Sequence, residues 1–178
     1  MTLVITPDHD ALYQAMESFL TGVLPAGVPV IRGLPNRVAM PPPRPGFVLM
    51  QALFQDRLAT PVDTFVTGGT SPPTTSSIAQ SIRVPMQVDF YGSDSGSWAA
   101  TVSTVFADAY GFNALAPNCE PLYANEARMM PLVDSEDAYE ERWSLDCHLQ
   151  WNPVATVQQQ YAAALDLTLK DVNVLFPN

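Results

Sequence analysis

Lysine is almost missing from this sequence. Of 178 residues, Lys170 is the single lysine, beside seven arginines and eighteen carboxylates, for a net charge of −10. So few cations cannot neutralise a run of phosphates, which tells against nucleic-acid binding as the main activity. Arginine without lysine carries a second meaning. Its planar fork suits buried or interfacial pairing with carboxylates, whereas lysine ordinarily fills solvated surface. Charged residues of both signs make up only 15% of the chain against 47% hydrophobic, so the chain is built to fold, and its sparse surface charge points to coverage by partners. Cysteine is also scarce. Cys119 and Cys147 make no disulfide framework and sit in no zinc spacing, and Cys147 falls on an apolar strand face as a reduced core thiol. The start at Met1 has no charged and apolar leader, and no apolar run approaches the roughly 18 residues of a membrane span. No membrane partner is expected, and assembly in a cytoplasm is.

The length fits one domain, residues 1–178. Leu12, Ala15, Met16, Phe19, Leu20 and Val23 recur at helical spacing and predict a helix over Pro7 to Leu24, capped by Thr6. Val28 to Arg32 is a short strand candidate, the prolines from Pro41 to Pro45 an extended surface segment, and Gly46 to Leu58 a long strand. From Thr60 to Gln80 the chain is rich in Thr, Ser, Pro and Gly, and it is read as the tip of a long projecting hairpin or as a loop. Ile82 to Tyr91 alternates strictly, with Pro85 implying an edge or a bulge. Asp94 to Tyr110 reads as one helix stopped by Gly111, and Phe112 to Asp137 as irregular. Tyr139 to Trp151 alternates most clearly of all. A short helix over Thr156 to Ala164 and a strand over Leu165 to Leu175 complete the expectation. The fold class is α+β: a mainly antiparallel sheet with two main helices packed on one face and a long projecting hairpin or loop.

One stretch suggests chemistry. In "QVDFYGSDSGSWAATVSTVFADAYG", Asp94, Ser95 and Gly96 spell a serine nucleophile loop at a strand-to-helix turn. The only histidines are His9 and His148, neither in a fitting context, and the flanking glycines do not form a nucleophile elbow. The phosphate-loop spacings are absent too. The turn therefore reads as a helix start, with Asp94 or Ser95 capping the first free amides, and no catalytic residue is assigned. The acids Asp134, Glu136, Asp137, Glu140 and Glu141 lack a calcium-loop spacing, so no metal or cofactor is expected. They read as a solvated acidic segment that can pair with arginines.

Four stretches in order, "PVIRGLPNRVAMP", "QVDFYGSDSGSWA", "PLYANEARMMPLV" and "YEERWSLDCHLQWNPV", resemble the neck or tail terminator proteins of tailed bacteriophages. The "GGTSPPTTSS" insert and the proline run depart from that pattern. The resemblance implies a structural virion protein. It implies a hexameric ring at the head-proximal end of the tail tube, where tube polymerisation stops and the head-completion or neck adaptor proteins dock. Tail tube protein and sheath protein are the implied neighbours, and DNA passes through the lumen without specific binding. A head-to-tail adaptor or tail-completion subunit is the alternative in the same particle, and a small hydrolase using Ser95 the alternative outside it. Arg32, Asn36, Arg37, Arg83, Asp89, Tyr91, Arg128, Glu140, Glu141 and Arg142 are the expected subunit or partner interface. An internal salt bridge is the competing role for Arg142, given its neighbours Glu140 and Glu141.

Overall fold

The strict alternation of Ile82 to Tyr91 and of Arg142 to Trp151 builds the centre of the molecule. In the computed structural model, which describes residues 4–33, 41–42, 45–66, 74–133 and 139–159, these two stretches pair antiparallel along their whole length. The elements run in the order β1 (Val4–Thr6), α1 (His9–Val23), β2 (Val30–Arg32), β3 (Phe47–Ala52), β4 (Asp56–Arg57), β5 (Val62–Val66), β6 (Thr74–Ala79) and β7 (Ile82–Tyr91). They continue as α2 (Ser95–Val105), α3 (Ala109–Leu115), β8 (Glu120–Ala124), β9 (Arg128–Met129), β10 (Leu132–Val133), β11 (Tyr139–Glu140), β12 (Arg142–Trp151) and β13 (Val154–Gln159). The main sheet has the order β2-β3-β7-β12-β8, with β4 also pairing β7 and β9 also pairing β12. Only β2 and β3 run parallel in it. A second, wholly antiparallel sheet has the order β1-β13-β6-β5, and β10 pairs with β11.

The core lies between the helices and one face of the main sheet. Residues one turn apart on α1 (Leu12, Met16, Phe19, Leu20) face Val84, Met86, Val88 and Phe90 of β7 and Leu145, Cys147 and Leu149 of β12. Trp98, Ala99 and Val102 of α2 close the same core with Phe106, whose ring meets Phe19 edge-on at 5.8 Å. Both cysteines are free and buried, and burial pushes the Cys119 thiol up to about 12. The expected α+β class, antiparallel sheet and helical layer are what the structure holds.

The Pro85 expectation holds in an informative form. Ala52 pairs with Met86 and Asp56 with Arg83, so three residues of the β3–β4 side face two of β7: a bulge. The carbonyl of Pro85 accepts from the Leu53 N–H at 2.9 Å, so its missing N–H points to that same broken edge, where no ladder bond is lost. The long strand expected over Gly46 to Leu58 is therefore split there.

Several expectations are corrected. The first helix is capped by Asp8, whose carboxylate accepts from the Ala11 N–H at 2.8 Å, while Thr6 belongs to β1. The expected helix to Tyr110 is two helices, broken after Val105, and Gly111 is buried inside α3 rather than ending α2. A Cβ on Gly111 would overlap the Phe106 carbonyl, so the glycine serves close approach of the two helices, a need that one-dimensional spacing does not show. Phe112 to Asp137, expected irregular, carries the end of α3 and strands β8, β9 and β10. Residues 156–159, expected to begin a helix, belong to strand β13, in keeping with the β-branched Val154, Thr156 and Val157. Residues 160–178, with the expected final strand, lie outside the described residues. The Thr60 to Gln80 stretch is not simply a loop: Val62 to Val66 pairs with Thr75 to Ala79 as a hairpin, and β6 is an inner strand of the second sheet.

Candidate functional site

The face of the main sheet that carries no helix is the candidate site. Strand registers put Leu49 opposite Asp89, Gln51 opposite Gln87, Ser144 opposite Asp89 and Tyr123 opposite His148, so polar side chains from four strands share this face. Its centre is a bonded network. Arg142 Nη2 donates to Asp89 Oδ2 at 2.7 Å, and Gln87 Nε2 donates to Asp89 Oδ1 at 3.2 Å and to Ser144 Oγ at 3.0 Å. Asp89 is only 4% exposed, although no helix covers it. Burial opposes the Arg142 charge, but the hydrogen bond and charge of Asp89 outweigh it, and the guanidinium holds its proton more tightly than usual. Tyr91 stacks on Phe47 at 4.4 Å, with the Arg142 guanidinium 5.7 Å from its ring. Burial, then the charges of Asp89 and Glu140, push the Tyr91 phenol up against the opposing pull of Arg142.

A second cluster lies along the face. Arg83 Nη2 donates to Asp56 Oδ2 at 2.5 Å and Nη1 to Tyr123 Oη at 3.4 Å. The Tyr123 ring stacks on His148 at 4.2 Å. His148 is 8% exposed, and neither ring nitrogen has a hydrogen-bond partner among the described residues. Burial and then the Arg83 charge lower its basicity.

The structure thus brings together Arg83, Asp89, Tyr91, Arg128 and Arg142 on one face, with Arg128 exposed and opposite Ser144. Glu140 sits near its end, its charge acting on Tyr91, while Glu141 turns to the helix side with Trp143. Glu141 accepts from Trp143 Nε1 at 2.9 Å, so the internal partner of Arg142 is Asp89 rather than a glutamate. Arg32 falls on the opposite side of the sheet: its Nη1 reaches Asp10 Oδ1 at 2.6 Å and its guanidinium lies 3.8 Å from the Tyr13 ring. Asn36 and Arg37 lie outside the described residues. The sequence reading did not name Asp56, Gln87, Tyr123, Ser144 or His148 among the site residues. Period-two alternation already assigned Gln87, Ser144 and His148 to it, but which of them meet depends on register.

The Asp94 turn is arranged differently from what its letters suggest. Ser95 is fully buried, its Oγ has no hydrogen-bond partner among the described residues, and neither Asp94 nor Ser95 makes the expected side-chain cap there. The Ser95 N–H instead bonds the Gly92 carbonyl at 3.1 Å. Gly92 holds φ at +114°, a left-handed turn that suits glycine.

Comparison with known proteins places the chain. A family model described as phage neck terminator protein matches residues 10–174. No curated protein matches the chain. Among solved structures it is similar to a chain from the cryo-EM structure of an extracellular contractile injection system, PVC sheath/tube terminator in extended state. That likeness has 11% identity and a TM-score of 0.48, covering 96% of this chain and 66% of that one. The chain therefore spans slightly less than two thirds of that protein's length.

Proposed function

The chain belongs to the phage neck terminator protein family, and on that footing we propose that it forms a closed homo-oligomeric ring, six copies around, on the head-proximal end of the tail tube. There it stops tube growth and offers a surface to the head-completion or neck adaptor proteins, with sheath protein as a further neighbour. It acts as a structural component of the virion tail. The observation that carries this reading is the family match across nearly the whole chain.

Two physical features support it. A subunit with net charge −10 makes a poor grip for phosphates, which suits a ring through which DNA must slide. A ring also needs two different surfaces on each subunit, one meeting the other. The helix-free face supplies one such surface, with exposed Arg128 and partly exposed Arg83 at its rim and Asp89, Tyr91 and Arg142 fixing its shape from within. Glu140 extends it, Arg32 is assigned to contacts on the other side of the sheet, and Glu141, Asn36 and Arg37 are further interface residues of the proposal.

Electron microscopy of purified tail tubes mixed with the protein tests the reading, alongside native mass spectrometry of the protein alone. Sixfold rings on one tube end and a halt in tube extension are expected. Monomers that never cap a tube would refute the reading, and a twelvefold ring would move the protein to the portal side of the neck.

A further inference from the structure

We infer that subunits join through the edges of the second sheet, β5 of one copy pairing antiparallel with β1 of the next. This rests on the proposed ring. The second sheet has two outer strands, and among the described residues β1 pairs only with β13 and β5 only with β6. Among the described residues each therefore presents one row of backbone donors and acceptors with no ladder partner. Natural proteins blunt such edges with lysine, proline or inward charge, because an open edge invites another strand. Neither β1 nor β5 carries lysine or proline; Pro7 and Pro61 lie just beyond the strands, and Asp63 is the only charge in either.

The side chains agree with the backbone. Val4 and Ile5 are 54% and 46% exposed, and Val62 and Phe65 are 62% and 61% exposed. Successive strand residues point to opposite faces, so each edge shows apolar groups on both faces, a pattern that a flanking strand and its side chains would cover.

Direction decides the partner. Every neighbouring pair in the order β1-β13-β6-β5 is antiparallel, so β1 and β5 run in opposite directions. Setting β5 of one copy beside β1 of the next, head to tail, therefore continues the antiparallel alternation. Such a contact uses two different surfaces and propagates around a closed ring. Two copies of β5 could also pair about a twofold axis, but that contact ends at a dimer.

Face matching selects the register. The pairings Ile5 to Ala155 to Ile78 and Val157 to Ser76 to Phe65 place Ile5 and Phe65 on one face of the sheet. Setting Ile5 of one copy opposite Phe65 of the next makes an aromatic to β-branched pair and brings Thr6 opposite Thr64. Both are favourable cross-strand combinations.

A cysteine pair tests this directly. Within one chain Thr6 and Thr64 lie at opposite edges of the sheet, about 14 Å apart from three strand spacings. A disulfide needs Cα atoms within about 7 Å, so oxidation of Thr6→Cys/Thr64→Cys can join only different copies. The native Cys119 and Cys147 are buried and stay out of the reaction. Assembly is first established by native mass and microscopy under reducing conditions, free and on tube ends, and the sample is then oxidised. The expected result is a ladder of covalent oligomers ending at the ring's copy number, absent from either single variant. The pair Thr6→Cys/Phe65→Cys, whose side chains point to opposite faces, gives at least tenfold less. Assembled rings without the Thr6–Thr64 link, or with equal linking in the control pair, would overturn the strand pairing and leave the ring standing. Absence of any assembly would overturn both.

Discussion

Asp89 and Arg142 lie diagonally across β7 and β12, and the 2.7 Å bond between them holds a nearly buried carboxylate on the open face of the sheet. Removing the arginine leaves that charge stranded, which is far more costly than removing both partners. Arg142→Met is expected to destabilise the isolated subunit by about 3 kcal/mol, the lower end for breaking a buried pair. Asp89→Leu/Arg142→Met should regain most of that loss. Urea unfolding of the single and double variants measures both. If Arg142→Met left the monomer unchanged and weakened only assembly, the pair would be an intersubunit contact instead.

His148 gives the fold an acid sensitivity. Its proton is bound less readily when folded than at its ordinary value of 6.5, because of burial and then of Arg83, with Asp146 and Asp56 opposing. Between the lowered and the ordinary value the unfolded chain binds more protons, so stability is full above about pH 6.5 and declines as pH falls below it. His148→Phe keeps the stack on Tyr123 and cannot titrate. The midpoint temperature of the parent should drop more between pH 7.5 and about pH 5.5 than that of the variant. Parallel curves would show that His148 contributes nothing to the pH dependence.

Ser95 should be chemically inert and slightly harmful. Its buried Oγ has no partner among the described residues, and an unsatisfied buried hydroxyl costs about 1–3 kcal/mol of desolvation. Ser95→Ala is therefore expected to leave stability unchanged or raise it by up to about 1 kcal/mol. A serine-reactive phosphonate should label neither protein. Labelling that disappears in Ser95→Ala would revive the hydrolase alternative.

Gly46 lies against the Tyr91 backbone and the Trp98 ring of α2. Its φ is +114°, and a Cβ there would stand 2.5 Å from the Tyr91 carbonyl oxygen and 2.8 Å from the Trp98 ring. Gly46→Ala combines backbone strain with a collision that backbone cannot yield to, and a loss of about 2 kcal/mol or more is expected. Thermal unfolding checks it, with Gly27→Ala as the comparison. Gly27 also has positive φ but open space around it, so its loss should be smaller.

What the sequence determined by itself was everything set by local periodicity and composition. The alternation of Ile82 to Tyr91 and of Tyr139 to Trp151 identified two strands and sorted their side chains into core and open faces, although the second is divided after Glu140. The spacing of Leu12, Met16, Phe19 and Leu20 identified α1, and the near absence of lysine told against nucleic-acid binding. Pro85 announced an edge or a bulge because a missing donor must fall where no ladder bond is made. Only the tertiary structure decided the contacts between distant stretches. Asp89 meets Arg142 instead of the adjacent glutamates because register, not sequence proximity, places side chains across strands. Residues 154–159 form a strand because β6 pairs with all six of them and β1 with the first three, neighbours that lie far off in the chain. Gly111 sits inside a helix because Phe106 approaches it too closely for a side chain, and no one-dimensional pattern records that approach. The two outer edges of the second sheet, as the described residues form it, belong to this class as well. They arise from the order in which four strands, drawn from residues 4 to 159, come to lie side by side.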